Sequence, residues 1–375
     1  AQHTTEIPYE LRDTDNVHNN GIVYEGQGIR AAGVEQKMDL AYIVPMKIAM
    51  KISNEVAHFS RGSRIDWDAY ARNVSSNSRL MRELVVLRIC NELQRAADAY
   101  GATDVTGEDI NPQLDGSTDT AKTTNFPIVR PHQPKDLQGN NVGTAEHLIT
   151  VSIDGSTVDA YDGTGNQSAG TYYRVTNYNL GYIQFVDETG SAVQPNPSTS
   201  ATVDYSYATN VAKFDLDVPS GELESRHLNG LLRAIGRRKA VLGDDRFVTP
   251  DYLLMSRTLN DTCTNAEQFS AQGQRSGSDT TGEGDLDRVK GVGAWATNAA
   301  NVDLGDERII VGSRGQLTYT VSKPMTMGEP FEAVDSNGRP TGQRQAYGEE
   351  YNAIHVPSPI RGRMTSVIAY SASNR

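Results

Sequence analysis

"SRLMRELVVLRICNELQRAADAYG", Ser78 to Gly101, is the clearest periodic stretch in the chain, and the fold is read outward from it. Leu80, Leu84 and Leu87 share one face at helical spacing; Val86, Cys90, Leu93, Ala97 and Tyr100 fit an adjacent one. Ser75, Ser76 or Ser78 can cap the start, and Gly101 sits where a helix stops. The spacing predicts a helix over about 78–100, roughly 35 Å long at 1.5 Å per residue. That is long for a globular domain and suits the spine of an elongated one.

Upstream, residues 1–40 are polar, contain glycine and show no sustained periodicity. They read as an extended arm, poorly ordered unless something holds it. "YIVPMKIAMKISNEVAHFS", Tyr42 to Ser60, is more apolar and fits strand or helix, with Pro45 interrupting it. "RGSRIDWDAYARNV" follows as a polar segment around Trp67.

Downstream, residues 103–145 are polar and loop-like. From Ile149 to about Val218 short alternating runs are separated by Asp154-Gly155, Asp162-Gly163 and Thr189-Gly190. Those turn pairs predict an antiparallel β subdomain. "SGELESRHLNGLLRAIGRRKAVLG" predicts a second helix, with Leu223, Leu228, Leu231, Leu232 and Ile235 at helical spacing. Arg237, Arg238 and Lys239 are placed near its C-terminus, where the helix dipole favours cations. "RFVTPDYLLMSRTLNDTCTNAEQFS" predicts a short strand and then a helix with Pro250 near its start. Residues 273–284 have linker composition, and the last eighty residues are mostly strand-like.

The chain has 375 residues, enough for a sizeable core, and 34 glycines that point to many turns. Its formal charge of -12 argues against a surface built mainly to attract nucleic-acid phosphates. Cys90 and Cys263 form no disulfide framework or zinc spacing, and Cys90 reads as a small buried hydrophobe. No stretch reaches the ~18 apolar residues of a membrane helix, and "AQHTTEIPYELRDTDN" lacks the layout of a signal peptide.

Motifs for chemistry are weak. "GVGAWA", Gly291 to Ala296, matches a dinucleotide fingerprint in letters only. No buried strand precedes it and no amphipathic helix follows, so it reads as a tight turn entering a strand. "DERIIVGSRGQLTYTVSKPM", Asp306 to Met325, lacks the lysine and the helix of a phosphate loop. It reads as a hairpin turning at Gly315, with Ile309 to Val311 and Tyr319 to Val321 packing a sheet. Seven scattered histidines give no metal motif, and "YDGTGNQS" and "GEGDLD" miss calcium-loop spacing. Asp215, Asp217 and His227 are the acid–base candidates of a hydrolase reading. Tyr172, Tyr173, Tyr178 and Tyr182 are the stacking candidates of a carbohydrate-binding tail or adhesion protein, although cross-strand pairing is the blander use.

The order of these pieces resembles the major capsid proteins of tailed bacteriophages with the Hong Kong 97-type fold. "SRLMRELVVLRICNELQRAADAYG" resembles the family's spine helix. "HLNGLLRAIGRRKAVLGDDRFVTPDYLLMSRTLNDTCTNAEQF" is similar to the helix, strand and helix leading through its axial (A) domain. The end of the chain, from Asp306, resembles the closing strands of the A and peripheral (P) domains. The resemblance implies an α+β fold divided as N-terminal arm 1–40, E-loop region 41–74, spine helix and part of the P domain 75–125, inserted antiparallel β subdomain 126–219, A domain 220–335 and closing P-domain strands 336–375.

It further implies a non-enzymatic virion subunit without cofactor or bound metal, assembling in the bacterial host cytoplasm as hexamers and pentamers of an icosahedral head. The implied partners are further copies of the chain, portal, scaffolding or maturation protease, a cement protein, and packaged double-stranded DNA contacted non-specifically; no membrane is implied. Candidate inter-subunit contacts are Ile7, Tyr9 and Tyr24 in the arm, and Met46, Lys47, Lys51, Phe59, Arg61, Arg64, Trp67 and Asp68 in the E-loop region, with A-domain loops around 273–286. Some family members crosslink an E-loop lysine to an asparagine of a neighbouring subunit. Lys47 and Lys51 stand in the matching region and Asn352 is the conceivable partner; spacing alone does not assign the bond.

Overall fold

The structure, a computed structural model, describes residues 4–12, 34–56, 69–165, 167–268, 288–296, 304–334 and 338–374. Along the chain, β1 (Thr4–Arg12), β2 (Val34–Tyr42) and β3 (Val44–Ser53) lead to a 31-residue helix, α1 (Ala69–Ala99). Seven short strands follow: β4 (Thr103–Asp109), β5 (Thr120–Lys122), β6 (Thr150–Ile153), β7 (Ser156–Val158), β8 (Tyr172–Asn177), β9 (Tyr182–Val186) and β10 (Ala201–Tyr207). Then come β11 (Val211–Asp215), α2 (Glu224–His227), α3 (Asn229–Asp244), β12 (Tyr252–Met255), α4 (Arg257–Thr264), β13 (Arg288–Val289), β14 (Val292–Ala296) and β15 (Arg308–Gly312). The chain closes with β16 (Thr318–Met327), β17 (Phe331–Val334), β18 (Pro340–His355) and β19 (Met364–Tyr370). It divides into two compact units. The first takes Ala1–Arg88, Lys135–Val142 and Gln316–Ile360; the second takes Ile89–Pro134, Gly143–Gly315 and Arg361–Arg375.

In the first unit β1 and β2 form an antiparallel hairpin in register from Thr4↔Tyr42 to Arg12↔Val34. Ile7, Tyr9 and Leu11 alternate along one strand and Met38, Leu40 and Tyr42 along the other, the period of a pleated ribbon. A second sheet is built around β18, which pairs with β3 on one side and with β16 and β17 on the other. Segment 44–53 is therefore strand rather than helix: Met46, Met50 and Ile52 are buried at even positions while Lys47 and Lys51 are exposed. Pro45 is accommodated because β3 lies at an edge, where a missing N–H disturbs least.

Within the segment read as an extended arm, residues 4–12 and 34–40 are paired strand. Of the described residues in 41–74, 44–53 belong to the β18 sheet. α1 begins at Ala69, not near Ser78, which leaves Ser75, Ser76 and Ser78 inside the helix with no capping role. Its end is as expected: Gly101 takes φ +67°, the left-handed turn that glycine allows. The buried stripe also shifts. Met81, Val85, Cys90, Leu93, Ala96 and Ala97 are inside, whereas Leu80, Val86 and Tyr100 are exposed. "LVVL" places apolar side chains on several faces at once, so packing partners rather than periodicity choose among them.

In the second unit, β11-β19-β15-β12-β14-β13 form a mixed six-stranded sheet. Leu231, Leu232, Ile235 and Leu242 of α3 pack with Leu253, Met255, Ile309, Val311, Val367 and Ala369 of the strands and with Leu259 and Cys263 of α4. Two small sheets, β4-β10-β6-β7 and β5-β9-β8, enclose a separate core of Ile128, Val151, Ile183, Phe185, Val203 and their neighbours. The expected β subdomain at 126–219 thus shares its sheets with Thr103–Asp109 and Thr120–Lys122. The Asp154-Gly155 turn is as read, both residues at positive φ between β6 and β7.

Several local expectations fail for identifiable reasons. Leu223 is 63% exposed because the helix breaks at Leu228 and Leu223 lies before its first turn. Arg237, Arg238 and Lys239 are mid-helix, since α3 continues to Asp244; Arg238 donates to the Val211 carbonyl and Lys239 to the Lys290 carbonyl. Pro250 precedes β12 rather than α4, whose N-cap is Ser256, accepting from Leu259 N–H at 3.1 Å. β15 and β16 do not pair: β15 lies between β12 and β19, β16 beside β18. Ile309 to Val311 are wholly buried, but Tyr319 and Val321 are about two-fifths exposed. The "GVGAWA" stretch is a tight turn, Lys290 and Gly291 at positive φ between β13 and β14.

Gly315 sits at φ +79° with open space around the site of a Cβ. Gly315→Val is therefore expected to cost only backbone strain, about 1–3 kcal/mol. Gly315→Asn should cost less; urea denaturation of both variants checks the order.

Candidate assembly surfaces

The β1–β2 hairpin has two unlike faces. On one, Ile7 is buried with Ala41, Ile43 and Ala353. Opposite Ile7 in register, Asp39 accepts from His355 Nε2 at 3.0 Å and from Ser358 N–H at 3.3 Å. Burial alone would raise the Asp39 carboxyl, but the His355 hydrogen bond and its companions hold it below its usual value. The other face carries Glu6↔Leu40 and Pro8↔Met38, with Met38 69% and Leu40 53% exposed. Sequence reading did not single out Met38 and Leu40; their strict alternation with Lys37 and Asp39 was the signal.

The β3–β18 sheet also separates its faces by parity. Lys47 stands opposite Glu349, Ala49 opposite Tyr347 and Lys51 opposite Gln345 on the outward side, where Lys323 bonds Glu349 and lies 5.5 Å from the Tyr351 ring. The inward side holds Met46, Glu350 and Asn352. Asn352 is fully buried: it accepts from Arg88 Nη1 and donates to Glu350 Oε1 at 2.7 Å and Met46 Sδ at 3.3 Å. An amide enclosed this way, on the face away from Lys47 and Lys51, is not a partner for a lysine.

Of the predicted contact residues, Ile7 and Met46 are turned into the chain's own core and offer no surface. Tyr9 is half-buried; Lys47 and Lys51 are exposed, and Lys51 lines an open recess with Arg72 and Asn73. Tyr24, Phe59, Arg61, Arg64, Trp67 and Asp68 lie outside the described residues, as do the A-domain loops around 273–286.

Sequence periodicity gave no warning of the polar groups inside the second unit. Every residue from Glu92 to Asp98 is buried, and the charges among them are paired across the fold. Arg95 bonds Glu92 at 2.6 Å and Glu146 at 2.9 Å, and Arg361 also reaches Glu146 at 2.9 Å. Asp98 bonds Arg308 at 2.6 Å with both side chains fully buried, and Asn179 Oδ1 accepts from Arg308 Nε at 2.7 Å. Charges in a helix ordinarily mark a solvated face, so only tertiary packing reveals this arrangement.

Burial alone would raise the Glu146 carboxyl, but the hydrogen bond and charge of Arg361, with Arg95, hold it below its ordinary 4.5. A depressed folded-state pKa stabilises above the unfolded value and is lost as pH falls through the folded one. The melting-temperature gap between wild type and Glu146→Gln is therefore expected to be widest near neutrality and to narrow below about pH 4.5. A gap independent of pH would contradict the clasp.

The hydrolase candidates do not converge on a reaction centre. Asp217 accepts from Ser371 Oγ at 2.7 Å and Ser373 N–H, Asp215 accepts from Ala372 N–H, and His227 Nε2 meets the Asp215 carbonyl at 2.7 Å. These bonds close the end of the chain onto β11. The tyrosines are likewise engaged: Tyr173 is buried and donates to the Ile149 carbonyl, Tyr172 donates to the Ser168 carbonyl, Arg130 stacks on Tyr178 and Lys122 on Tyr182. Both cysteines are buried, and burial pushes the Cys263 thiol up to about 12. Among the described residues no cluster could hold a metal ion, and no helix is long and apolar enough to cross a membrane.

No protein-family model matches the chain, and no curated protein matches it in sequence. Among solved structures it is similar to the capsid of the cyanophage P-SCSP1u, at 10% identity and TM-score 0.48, over 99% of this chain and 84% of that one. It is similar to the mature capsid of bacteriophage PhiM1 at 10% identity and TM-score 0.44, over 98% and 82% of the two chains. For the capsid of the Myoviridae phage XM1 the values are 8% and 0.42, over 98% and 86%.

Proposed function

We propose that this chain is the major capsid protein of a tailed bacteriophage, with a Hong Kong 97-type fold. Its copies assemble as hexamers and pentamers into an icosahedral head around double-stranded DNA. One observation carries the reading. A two-stranded hairpin with an apolar outer face precedes a 31-residue helix, and the adjoining sheet is made from both ends of the chain, β3 with β16 to β18. In this reading β1–β2 takes the E-loop role and α1 is the spine. α1 and the β18 sheet supply the P domain, the six-stranded sheet with α3 the A domain, and the β4–β10 module is the insertion. The role is structural and no residue is assigned to catalysis. Portal and scaffolding or maturation protease are the partners proposed with this reading, and a cement protein is an optional addition to such a shell.

One face of the hairpin is packed on the chain's own residues, but the other leaves Met38 and Leu40 as exposed apolar area. A second copy that covers this face removes that cost. Met38→Lys/Leu40→Lys is expected to abolish particles in sedimentation while leaving the monomer's melting temperature near wild type. Unchanged particles would remove the hairpin from the interface.

A further inference from the structure

Charge is segregated along this chain. From Thr103 to Tyr207 the sequence holds thirteen Asp and Glu against four Lys and Arg. From Glu224 to Asp244, spanning α2 and α3, the balance reverses: Arg226, Arg233, Arg237, Arg238 and Lys239 against Glu224 and Asp244. Arg233 and Arg237, four residues apart, lie along one side of α3, and Arg226 stands in α2 just ahead of the break at Leu228. All three are exposed, while Leu231, Leu232 and Ile235 point into the core. Arg226 meets Glu267 at 3.4 Å, both side chains exposed, a contact too solvated to neutralise it. Among the described residues no carboxylate pairs with Arg233 or Arg237. Lys239, held at the Lys290 carbonyl, and the exposed Arg288 extend the positive side to the β13–β14 turn.

The acidic module presents a matching rim. Residues 159–162 run beside β8 through the Ala160↔Tyr173 bridge, and β8 pairs with β9, which ends at the Asp187 turn. Asp159, Asp162, Asp187 and Glu188 therefore gather at one end of the β5-β9-β8 sheet. Their turns are fixed: Asp162 accepts from Thr164 N–H at 2.8 Å, and Asp187 from Thr189 N–H at 2.8 Å and Ser191 N–H at 2.9 Å. The Thr189 hydroxyl and these amides hold the Asp187 carboxyl below its usual range, so it stays charged.

Resting on the assembly reading above, we infer that the Arg226–Arg233–Arg237 patch of one copy docks on the Asp159–Asp162–Asp187–Glu188 rim of a neighbouring copy. Two different patches of one chain that complement each other make a head-to-tail contact, the kind that closes rings. The overall charge of -12 favours this partner, because copies of so acidic a chain repel unless opposite charges are brought together locally. Double-stranded DNA is the competing polyanion, but Glu222, Glu224 and Glu267 flank the start of the arginine row and would repel a phosphate backbone.

The test uses the nuclease-treated full chain in sedimentation velocity at low and high sodium chloride. Wild-type association is expected to weaken with salt. Arg233→Glu/Arg237→Glu and Asp159→Lys/Glu188→Lys are each expected to weaken it about tenfold or more at low salt, and mixing the two variants should restore it. Circular dichroism melts confirm that each variant folds. Variants that associate like wild type, or a mixture that fails to recover, overturn the contact. Duplex DNA binding lost in Arg233→Glu/Arg237→Glu with self-association unchanged overturns it in favour of nucleic acid. Shells still formed by that variant would sink the contact and leave the capsid reading standing; a wild type that never assembles would sink both.

Discussion

Arg308→Met is expected to lower stability by about 3–5 kcal/mol, the cost of leaving a buried charge without its partner. Asp98 has no route to solvent, and burial already pushes its carboxyl up against the pull of Arg308. Asp98 Oδ2 and Arg308 Nη2 have no hydrogen-bond partner among the described residues, so the pair is only partly satisfied. That incompleteness makes a second outcome checkable. Arg308→Met/Asp98→Leu should recover most of the loss, because an apolar pair of similar volume removes both desolvation costs. Denaturant titration of the single and double variants separates the alternatives: a double variant as unstable as the single would mean that Asn179 and Ser366, the other acceptors of Arg308, carry the effect.

Phe185→Ala carries a comparable expected loss, about 3–5 kcal/mol for a large ring removed from a closed core. Phe185 has no exposure and packs among Ile128, Val151, Ile183 and Val203, apart from the α3 core around Leu231 and Ile235. The loss should therefore be local. Hydrogen exchange is expected to accelerate across β5, β8, β9 and β10 and to change little at β15 and β19. Uniform acceleration would mean that the two cores unfold as one.

Legibility in the sequence followed the physics of each element. α3 was readable because Leu231, Leu232 and Ile235 repeat on one face and the opposite face is charged. The Asp154-Gly155 turn was readable because its two positive φ angles demand such residues. α1 was readable as a helix but not in its burial, since "LVVL" offers several stripes and Glu92 to Asp98 are enclosed by partners distant in sequence. The pairing of β3 with β18, about three hundred residues apart, and the separation of β15 from β16 leave no local trace at all. Of the contact candidates within the described residues, Lys47 and Lys51 are exposed while Ile7 and Met46 are buried, because an alternating strand hides every second residue; the exposure of Met38 and Leu40 follows from the same period of two, in a segment read only as an arm.

Electron microscopy of the purified full chain, negatively stained over a range of salt and protein concentration, tests the central claim most directly. Rings of five and six copies, or closed shells built from them, are the expected result. A chain that stays monomeric, or forms only small closed oligomers or trimers, under every condition of salt and protein concentration would contradict it.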